Sequence, residues 1–240
     1  MKRLKLIKQT NATQLVKRAA FFLNYLFEKY QNQPILFLTS GGSALSILAL
    51  IDTSFIKNNC TITVLDERYS HDTQVNNFSL LAATDFYKKS LENKAQFIDT
   101  RVLANESMQE LATRFDTELK IWKQSNPKGH IIATQGIGPD GHTAGIMPFP
   151  EDTKTFKVLF QEQEKWVTAY DAKDKNSFGL RVTTTIPFLE TIDYVVVYAI
   201  GENKRQALKQ ILSPLPQLNK VPGSVIRSMR NASLFTDLNI

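Results

Sequence analysis

Apolar side chains recur along the chain in two alternating patterns. Residues 13–30 carry them every three or four positions, which predicts an amphipathic helix. Residues 34–38, 61–65 and 131–134 are short runs of consecutive apolar or β-branched side chains, which are typical of strands buried on both faces. The same patterns predict further helices at 44–51, 78–88, 109–122 and 203–212, and further strands at 166–170, 182–186, 194–200 and 233–236.

This alternation of strands and helices predicts an α/β fold. The expected architecture is a three-layer αβα sandwich, in which helices cover both faces of a mostly parallel, Rossmann-like sheet. No internal repeat, low-complexity tract or linker divides the chain, so residues 1–240 are predicted to form a single domain. Because ligands bind beyond the carboxyl ends of the strands in such sheets, we expect the site among the loops that follow the strands.

Composition and charge indicate which ligands and partners the protein is expected to have. The chain has 240 residues and a formal net charge of +6, which favours anionic ligands. Its basic side chains are scattered and form no nucleic-acid-binding motif, so we expect no nucleic-acid partner. The basic stretch 1–8 is not followed by an apolar run of signal-peptide length, and no apolar run is long enough to cross a bilayer. These features predict a cytoplasmic protein without a membrane partner.

The single cysteine, Cys60, lies beside the apolar strand at 61–65. We expect a buried, inert thiol, because free cysteines are commonly buried. With one cysteine, the chain can form neither an internal disulfide nor a cysteine zinc site.

A glycine turn, Ser40-Gly41-Gly42-Ser43, lies between a predicted strand and a predicted helix. Backbone N–H groups in such a turn can face a bound anion, with the positive end of the helix behind them. The turn matches neither of the glycine-rich nucleotide fingerprints. It therefore favours a single phosphate group over a nucleotide.

A second loop is more distinctive, because residues 136–141 contain three glycines and one proline. The irregular backbone that these residues impose presents Asp140 and His142 together. Histidine is the natural proton carrier near neutral pH, so His142 is the candidate general base. We assign no role to His71 or His130, which lack such a context.

Three further segments carry charge at the ends of predicted elements. Asp66-Glu67-Arg68 follows the strand at 61–65 and, taken alone, has the composition of a solvated loop. Arg181 opens the strand at 182–186, and Lys204 lies just after Gly201 at the start of a helix. Both cations are suited to binding phosphate.

In their order along the chain, these segments resemble the 6-phosphogluconolactonases, a family related in fold to the glucosamine-6-phosphate deaminases. The family pattern is similar to the 40–43 turn, the Asp-Glu-Arg segment with a following asparagine, and the Asp140-Gly141-His142-Thr143-Ala144 loop. It is also similar to the strand at 181–187 and to the helix start at 201–208.

The resemblance implies a hydrolase that opens a phosphorylated sugar lactone in the pentose phosphate pathway. Gly41, Gly42, Ser43, Arg181 and Lys204 would hold the phosphate. His142 would activate water, Asp140 or Asp66 would orient the imidazole or the water, and Arg68 would stabilise developing negative charge. No metal or cofactor is expected. The expected partner is a small sugar phosphate, and the protein is expected to be a monomer or a weak homo-oligomer.

The sequence departs from the family pattern at several positions. Gly145-Ile146-Met147-Pro148 replaces a serine, a large apolar residue, phenylalanine and proline; Tyr69-Ser70 replaces valine-proline; and Ser177-Phe178-Gly179 replaces a proline pair. These changes are expected to line or adjoin the site. They leave the exact sugar phosphate open and suggest a divergent subgroup.

Two alternatives stay open beside the lactonase. The deaminase branch places a glutamate shortly after the loop histidine, where this chain has Met147, and Glu151 lies farther along. A non-catalytic sugar-phosphate sensor is the second alternative. Such regulators carry a separate DNA-binding segment, and we expect none before Leu15.

Overall fold

The computed structural model describes residues 4–175 and 177–240. Its strands are β1 (Lys5–Lys8), β2 (Ile35–Thr39), β3 (Cys60–Val64), β4 (Asp66–Arg68), β5 (Gln96–Phe97), β6 (His130–Gly136), β7 (Val167–Asp171), β8 (Leu180–Thr184), β9 (Tyr194–Tyr198) and β10 (Ala232–Thr236). Its α-helices are α1 (Ala12–Lys29), α2 (Asn77–Ala82), α3 (Asp85–Glu92), α4 (Met108–Ser125), α5 (Thr153–Phe160), α6 (Ile186–Leu189) and α7 (Arg205–Ile211).

Seven strands form one sheet in the order β1-β10-β9-β6-β2-β3-β5, and every pairing in it is parallel. Strand β2 shows how the layers form. Its Leu36 and Leu38 join the cluster that contains α4, α5 and α7, whereas Ile35 and Phe37 join the cluster that contains α1, α2 and α3. Because successive strand residues point to opposite faces, this alternation buries both sides of the sheet. The predicted α/β sandwich is confirmed.

A second sheet was not predicted. Strands β4, β8 and β7 pair in that order, and both pairings are antiparallel. The Asp-Glu-Arg segment, which we expected to be a loop, is therefore a strand, and its Arg68 lies opposite Arg181 of β8. This small sheet joins two charged segments that are far apart in the sequence.

Several elements differ from their predicted form. The helix expected at 78–88 is two helices, because the Thr84 hydroxyl accepts a hydrogen bond from the Tyr87 N–H and begins α3. The helix expected at 44–51 is a 3₁₀ helix, Gly42–Leu50. The helix expected at 203–212 is a 3₁₀ turn, Glu202–Lys204, followed by α7. Strands β1 and β5 and helix α5 were not predicted.

Two further predictions concern the cysteine and the absence of a membrane-spanning segment. Cys60 is a free, fully buried cysteine in β3, as predicted. Within the described ranges, no helix is both long and apolar enough to span a bilayer. Of the basic N-terminal stretch, residues 1–3 lie outside the described residues.

Candidate active site

A cavity of about 230 Å³ lies beyond the carboxyl ends of β2, β3 and β6. Every residue predicted for the site lines this cavity except Asp140, which lies directly behind His142. The lining residues are Ser40, Gly41, Gly42, Ser43, Asp66, Arg68, Asn77, Gly136, Ile137, Gly138, His142, Ala144, Gly145, Arg181 and Lys204. The structure thus brings the predicted side chains together at the expected edge of the sheet.

The glycine turn is fastened to the neighbouring strand. The Ser40 N–H donates to the Thr134 hydroxyl at 3.1 Å, and the Ser40 hydroxyl accepts from the Gly136 N–H at 3.3 Å. Both bonds join the end of β2 to the end of β6. They hold Gly41 and Gly42 along one side of the cavity, where the 3₁₀ helix begins.

His142 and Asp140 form a local pair. The His142 Nδ1 lies 2.5 Å from the Asp140 Oδ1, which also accepts from the His142 backbone N–H at 3.1 Å. Gly138 leaves the room for this pair, since a Cβ there would lie 2.0 Å from the His142 Nδ1 and 2.6 Å from the Asp140 Oδ1. Because Nδ1 is directed at Asp140, the Nε2 atom is the ring nitrogen left for a ligand.

The charge state of Asp140 assigns the histidine tautomer. Burial works to raise the pKa of Asp140, but the hydrogen bond and charge of His142 outweigh it and hold that pKa below its usual range. An ionised Asp140 accepts a proton-bearing Nδ1, which leaves Nε2 as an acceptor in the neutral ring. Nε2 can therefore take a proton from water.

Asp66 lies between two arginines. Its Oδ2 is 3.5 Å from the Arg181 Nη1, and both side chains are buried. Burial raises the pKa of Asp66, against the opposing charges of Arg181, Arg68 and His142. Burial also lowers the pKa of Arg68, and the nearby charge of Arg181 adds to this effect. The lining residues Arg68, Arg181 and Lys204 carry three positive charges against one carboxylate, so the cavity favours an anion.

Lys204 reaches the cavity from the 3₁₀ turn before α7. Burial lowers its pKa, whereas the negative charge of Asp140 raises it. Burial has the larger effect, so the pKa of Lys204 is lowered overall. The same loss of surrounding water strengthens the attraction of the charged amino group for phosphate.

Glu67 is a fully buried carboxyl group beside the site, and the sequence alone did not predict its role in the fold. Its carboxylate accepts hydrogen bonds from the backbone N–H groups of Arg68, Asn77 and Phe78 and from the Thr100 hydroxyl. It therefore fixes β4 against the start of α2. Burial raises the pKa of Glu67 to about 7, although these donors oppose the rise. The alternation of a strand would have turned Glu67 inward, but the segment was predicted as a loop.

The small sheet supports the backbone after His142. The Tyr170 hydroxyl of β7 donates to the Gly145 carbonyl at 2.6 Å, and the Thr183 hydroxyl of β8 donates to the Ala144 carbonyl. Gly145 has φ +71°, and a Cβ there would lie 2.7 Å from the Asp66 Cβ. Glycine at this position lets the loop approach β4 closely.

The other positions at which the sequence departs from the family pattern lie at different distances from the cavity. Met147 is fully buried in the core, and Glu151 is exposed; neither lines the cavity. Tyr69 donates its hydroxyl to the Glu106 carbonyl at 2.6 Å and also lies outside the lining. Phe178 places its ring 5.0 Å from the Arg68 guanidinium carbon. Gly145 alone among these departures lines the cavity directly.

Within residues 4–175 and 177–240, no three His, Cys, Asp or Glu side chains are placed to hold a metal ion. The polar side chains that line the cavity are those of Ser40, Ser43, Asp66, Arg68, Asn77, His142, Arg181 and Lys204.

Comparison with known proteins identifies the family of this chain. The model of the family described as glucosamine-6-phosphate isomerases/6-phosphogluconolactonase matches residues 9–235. The chain belongs to this family. Within the glucosamine-6-phosphate isomerase/6-phosphogluconolactonase family, the 6-phosphogluconolactonase of Helicobacter pylori is 28% identical over 82% of this chain and 80% of its own length.

The human 6-phosphogluconolactonase is 36% identical, but the match spans 38% of this chain and about a third, 32%, of the human protein. Among solved family structures, the 6-phosphogluconolactonase of Leishmania guyanensis superimposes with a TM-score of 0.76 at 19% identity, covering 98% of this chain and 96% of that one. The structural likeness shows the fold, and the predicted family is confirmed.

Proposed function

We propose that this protein hydrolyses 6-phospho-D-glucono-1,5-lactone to 6-phosphogluconate, as a cytoplasmic step of the pentose phosphate pathway. One observation carries the proposal: a single cavity joins a cationic, glycine-lined side to a His142 that Asp140 orients. A phosphorylated sugar with a reactive carbonyl matches both sides of this cavity. The names of the curated relatives agree with this substrate.

Binding uses the cationic side. Lys204 and Arg181 attract the phosphate, and the backbone of Gly41, Gly42 and Ser43 offers N–H groups that need no side-chain room. Fixing the phosphate there places the lactone ring toward His142. The binding energy of a remote group thereby serves to orient the reacting carbon.

Catalysis uses His142 as the general base. A water molecule loses a proton to the His142 Nε2 while its oxygen forms a bond to the lactone carbonyl carbon. The carbonyl electron pair moves to oxygen, where the positive charge of Arg68 stabilises it. The tetrahedral intermediate then collapses, the bond from that carbon to the ring oxygen breaks, and the imidazolium returns its proton to the ring oxygen. The products are an open-chain hydroxyl and a carboxylic acid, which ionises.

The deaminase alternative lacks an acid at the positions considered for it. Ring opening of a hemiacetal needs a proton donor for the ring oxygen, and a thioether such as Met147 has none. Met147 is moreover buried in the core, and Glu151 is exposed outside the cavity. A sugar lactone needs no ring-opening step before water attacks, so His142 suffices.

The decisive experiment is a rapid assay of 6-phosphogluconolactone hydrolysis, measured against the uncatalysed background. Ammonia release from glucosamine 6-phosphate is followed in parallel. We expect lactone hydrolysis above background and no ammonia. Ammonia release faster than lactone hydrolysis would overturn the proposal in favour of the deaminase, and phosphosugar binding without either reaction would favour the sensor.

The same assay tests the role of His142 as the general base. His142→Ala should lower kcat by about a hundredfold or more and leave KM nearly unchanged, as expected for the loss of a general base. Asp140→Asn should lower kcat in the same direction, because it removes the charge that fixes the tautomer. His71→Ala is the matched control, since His71 is exposed and lies outside the cavity. A folded His142→Ala protein with near-normal kcat contradicts the assignment.

A further inference from the structure

Phe178 connects the loop before β8 to both arginines of the cavity. Its backbone carbonyl accepts from the Arg181 Nε at 2.9 Å, and its ring lies 5.0 Å from the guanidinium carbon of Arg68. The guanidinium lies over the face of this ring, and Phe178 is 40% exposed. The family pattern has a proline pair in this segment, so the contact is a feature of this chain.

Arg68 needs such a contact because its other polar contacts are few. Its Nη1 lies 3.5 Å from the Val75 carbonyl, at the limit of a hydrogen bond. Its Nε is buried and has no acceptor among the described residues. A guanidinium with so few hydrogen bonds has considerable freedom to rotate about its side-chain torsions.

Arg68 also faces a like charge. It lies directly opposite Arg181 in the pairing of β4 with β8, and like charges at opposed strand positions repel. The negative charge of Asp66 offsets part of this repulsion. The electron-rich face of the Phe178 ring offsets a further part of it through a cation–π contact with Arg68.

We propose that Phe178 is a positioning residue, whose ring holds the Arg68 guanidinium in the orientation that faces the cavity. The inference rests on the proposed function, in which Arg68 stabilises the oxyanion of the tetrahedral intermediate. Phe178 itself does not line the cavity and touches the reaction through Arg68. Its ring should therefore matter more to kcat than to phosphate binding.

The test replaces the aromatic ring of Phe178 and leaves the backbone at this position unchanged. Phe178→Leu retains an apolar side chain without a π face, and Phe178→Tyr retains the π face. The backbone carbonyl that binds Arg181 is present in both variants. We expect Phe178→Leu to lower kcat for 6-phosphogluconolactone by about three- to thirtyfold with KM nearly constant, and Phe178→Tyr to stay within about twofold of the unmodified protein.

A double-mutant cycle with Arg68→Gln identifies the route of the effect. If the ring acts through Arg68, Phe178→Leu should cause little further loss once Arg68 is replaced, so the two effects are not additive. The dissociation constant of the product, 6-phosphogluconate, is measured by calorimetry on the same four proteins. In the proposed mechanism the carboxylate of this product takes the place of the lactone carbonyl beside Arg68, so its binding provides a second cycle that does not depend on measurable turnover.

The kinetic results distinguish the role of Phe178 from the role of Arg68. Full kcat in Phe178→Leu overturns the inference, and so does an equal loss from this substitution with and without Arg68 in both cycles. A large loss in Arg68→Gln combined with no effect in Phe178→Leu sinks the inference and leaves the proposed function standing. Normal kcat in Arg68→Gln overturns the role of Arg68 and the inference with it, while lactone hydrolysis by the unmodified protein still supports the reaction.

Discussion

At the scale of single residues, the cations predicted alike for phosphate binding have different surroundings. Arg181 is buried and forms an ion pair with Asp66, whereas Lys204 is partly exposed and forms none of the ion pairs found among the described residues. Removing a buried partner leaves an uncompensated charge behind, whereas removing Lys204 does not. The two residues are therefore expected to respond differently to the same substitution.

The substitution Lys204→Ala tests phosphate binding separately from the hydrolysis step. We expect it to weaken binding of the phosphorylated lactone by about 1.5 to 3 kcal/mol, the usual scale for a charge-assisted hydrogen bond. Hydrolysis of an unphosphorylated lactone should hardly change. Steady-state kinetics on both substrates measure the difference, and equal losses on the two would show that Lys204 serves the chemistry or the fold instead.

Arg181→Ala should show a second effect. Besides weaker binding of the phosphorylated lactone, we expect a loss of folding stability of about 3 kcal/mol, because Asp66 stays buried without its partner. Urea unfolding of this variant beside Lys204→Ala measures the loss. Equal stability of the two variants would contradict the structural role of the ion pair.

At the scale of elements, the sequence predicts best where a pattern is long or a motif is local. The 18 residues of α1 and the continuous apolar strands gave clear periodicity, and Asp140 and His142 lie in one short loop. Strand β4 is short and wholly charged, so nothing in its composition distinguishes it from a loop. Its pairing with β8 depends on residues far along the chain. The role of Glu67 depended on that pairing and was missed with it.

The turn at Gly145 connects the two sheets, and its backbone conformation can be tested. Gly145→Ala should destabilise the fold by about 1 to 3 kcal/mol through its positive φ, with a further cost from the approach to Asp66. Gly42→Ala is the matched control, because Gly42 has φ +67° but nothing within 4 Å of a Cβ. Thermal or urea unfolding compares the two. A smaller loss at Gly145 than at Gly42 would contradict the close approach.

Glu67, which joins β4 to α2, should make folding stability depend on pH. Its native pKa of about 7 exceeds the ordinary value of 4.5, so between these values the native state holds a proton that the unfolded state releases. Its contribution is therefore complete below about pH 4.5 and is lost as the pH rises through about 7, by about 3 kcal/mol.

Urea unfolding between pH 5 and pH 8 measures this slope, taking those limits as roughly the window of the two pKa values. Glu67→Gln should remove this slope, because the amide has no titrating proton and stays neutral across the whole window. An unchanged pH slope in Glu67→Gln would assign the dependence to other groups.

At the scale of the whole molecule, a net charge of +6 and a cationic cavity act in the same direction. Binding of an anion to the native state should therefore stabilise the fold. At a hundred times its dissociation constant, 6-phosphogluconate should add about 3 kcal/mol, which corresponds to roughly 5 to 10 °C in Tm for a chain of this size.

Scanning calorimetry with gluconate as the unphosphorylated control measures this shift. Because the attraction is electrostatic, added salt should reduce it. His142→Ala should retain the shift and Lys204→Ala should lose most of it. A gluconate shift as large as that of 6-phosphogluconate would show that the phosphate contributes little to recognition.

The pairing of β1 with β10 also affects how the chain folds during its synthesis. A ribosome releases Lys5–Lys8 well before the partner strand Ala232–Thr236, by an interval on the order of ten seconds or more. Lys204, which completes the cavity, also emerges late. Between these two events the nascent chain carries β1 without its partner strand. The pairing of β1 with β10 cannot assist folding until Ala232–Thr236 has emerged, and complete substrate binding cannot assist it until Lys204 has emerged.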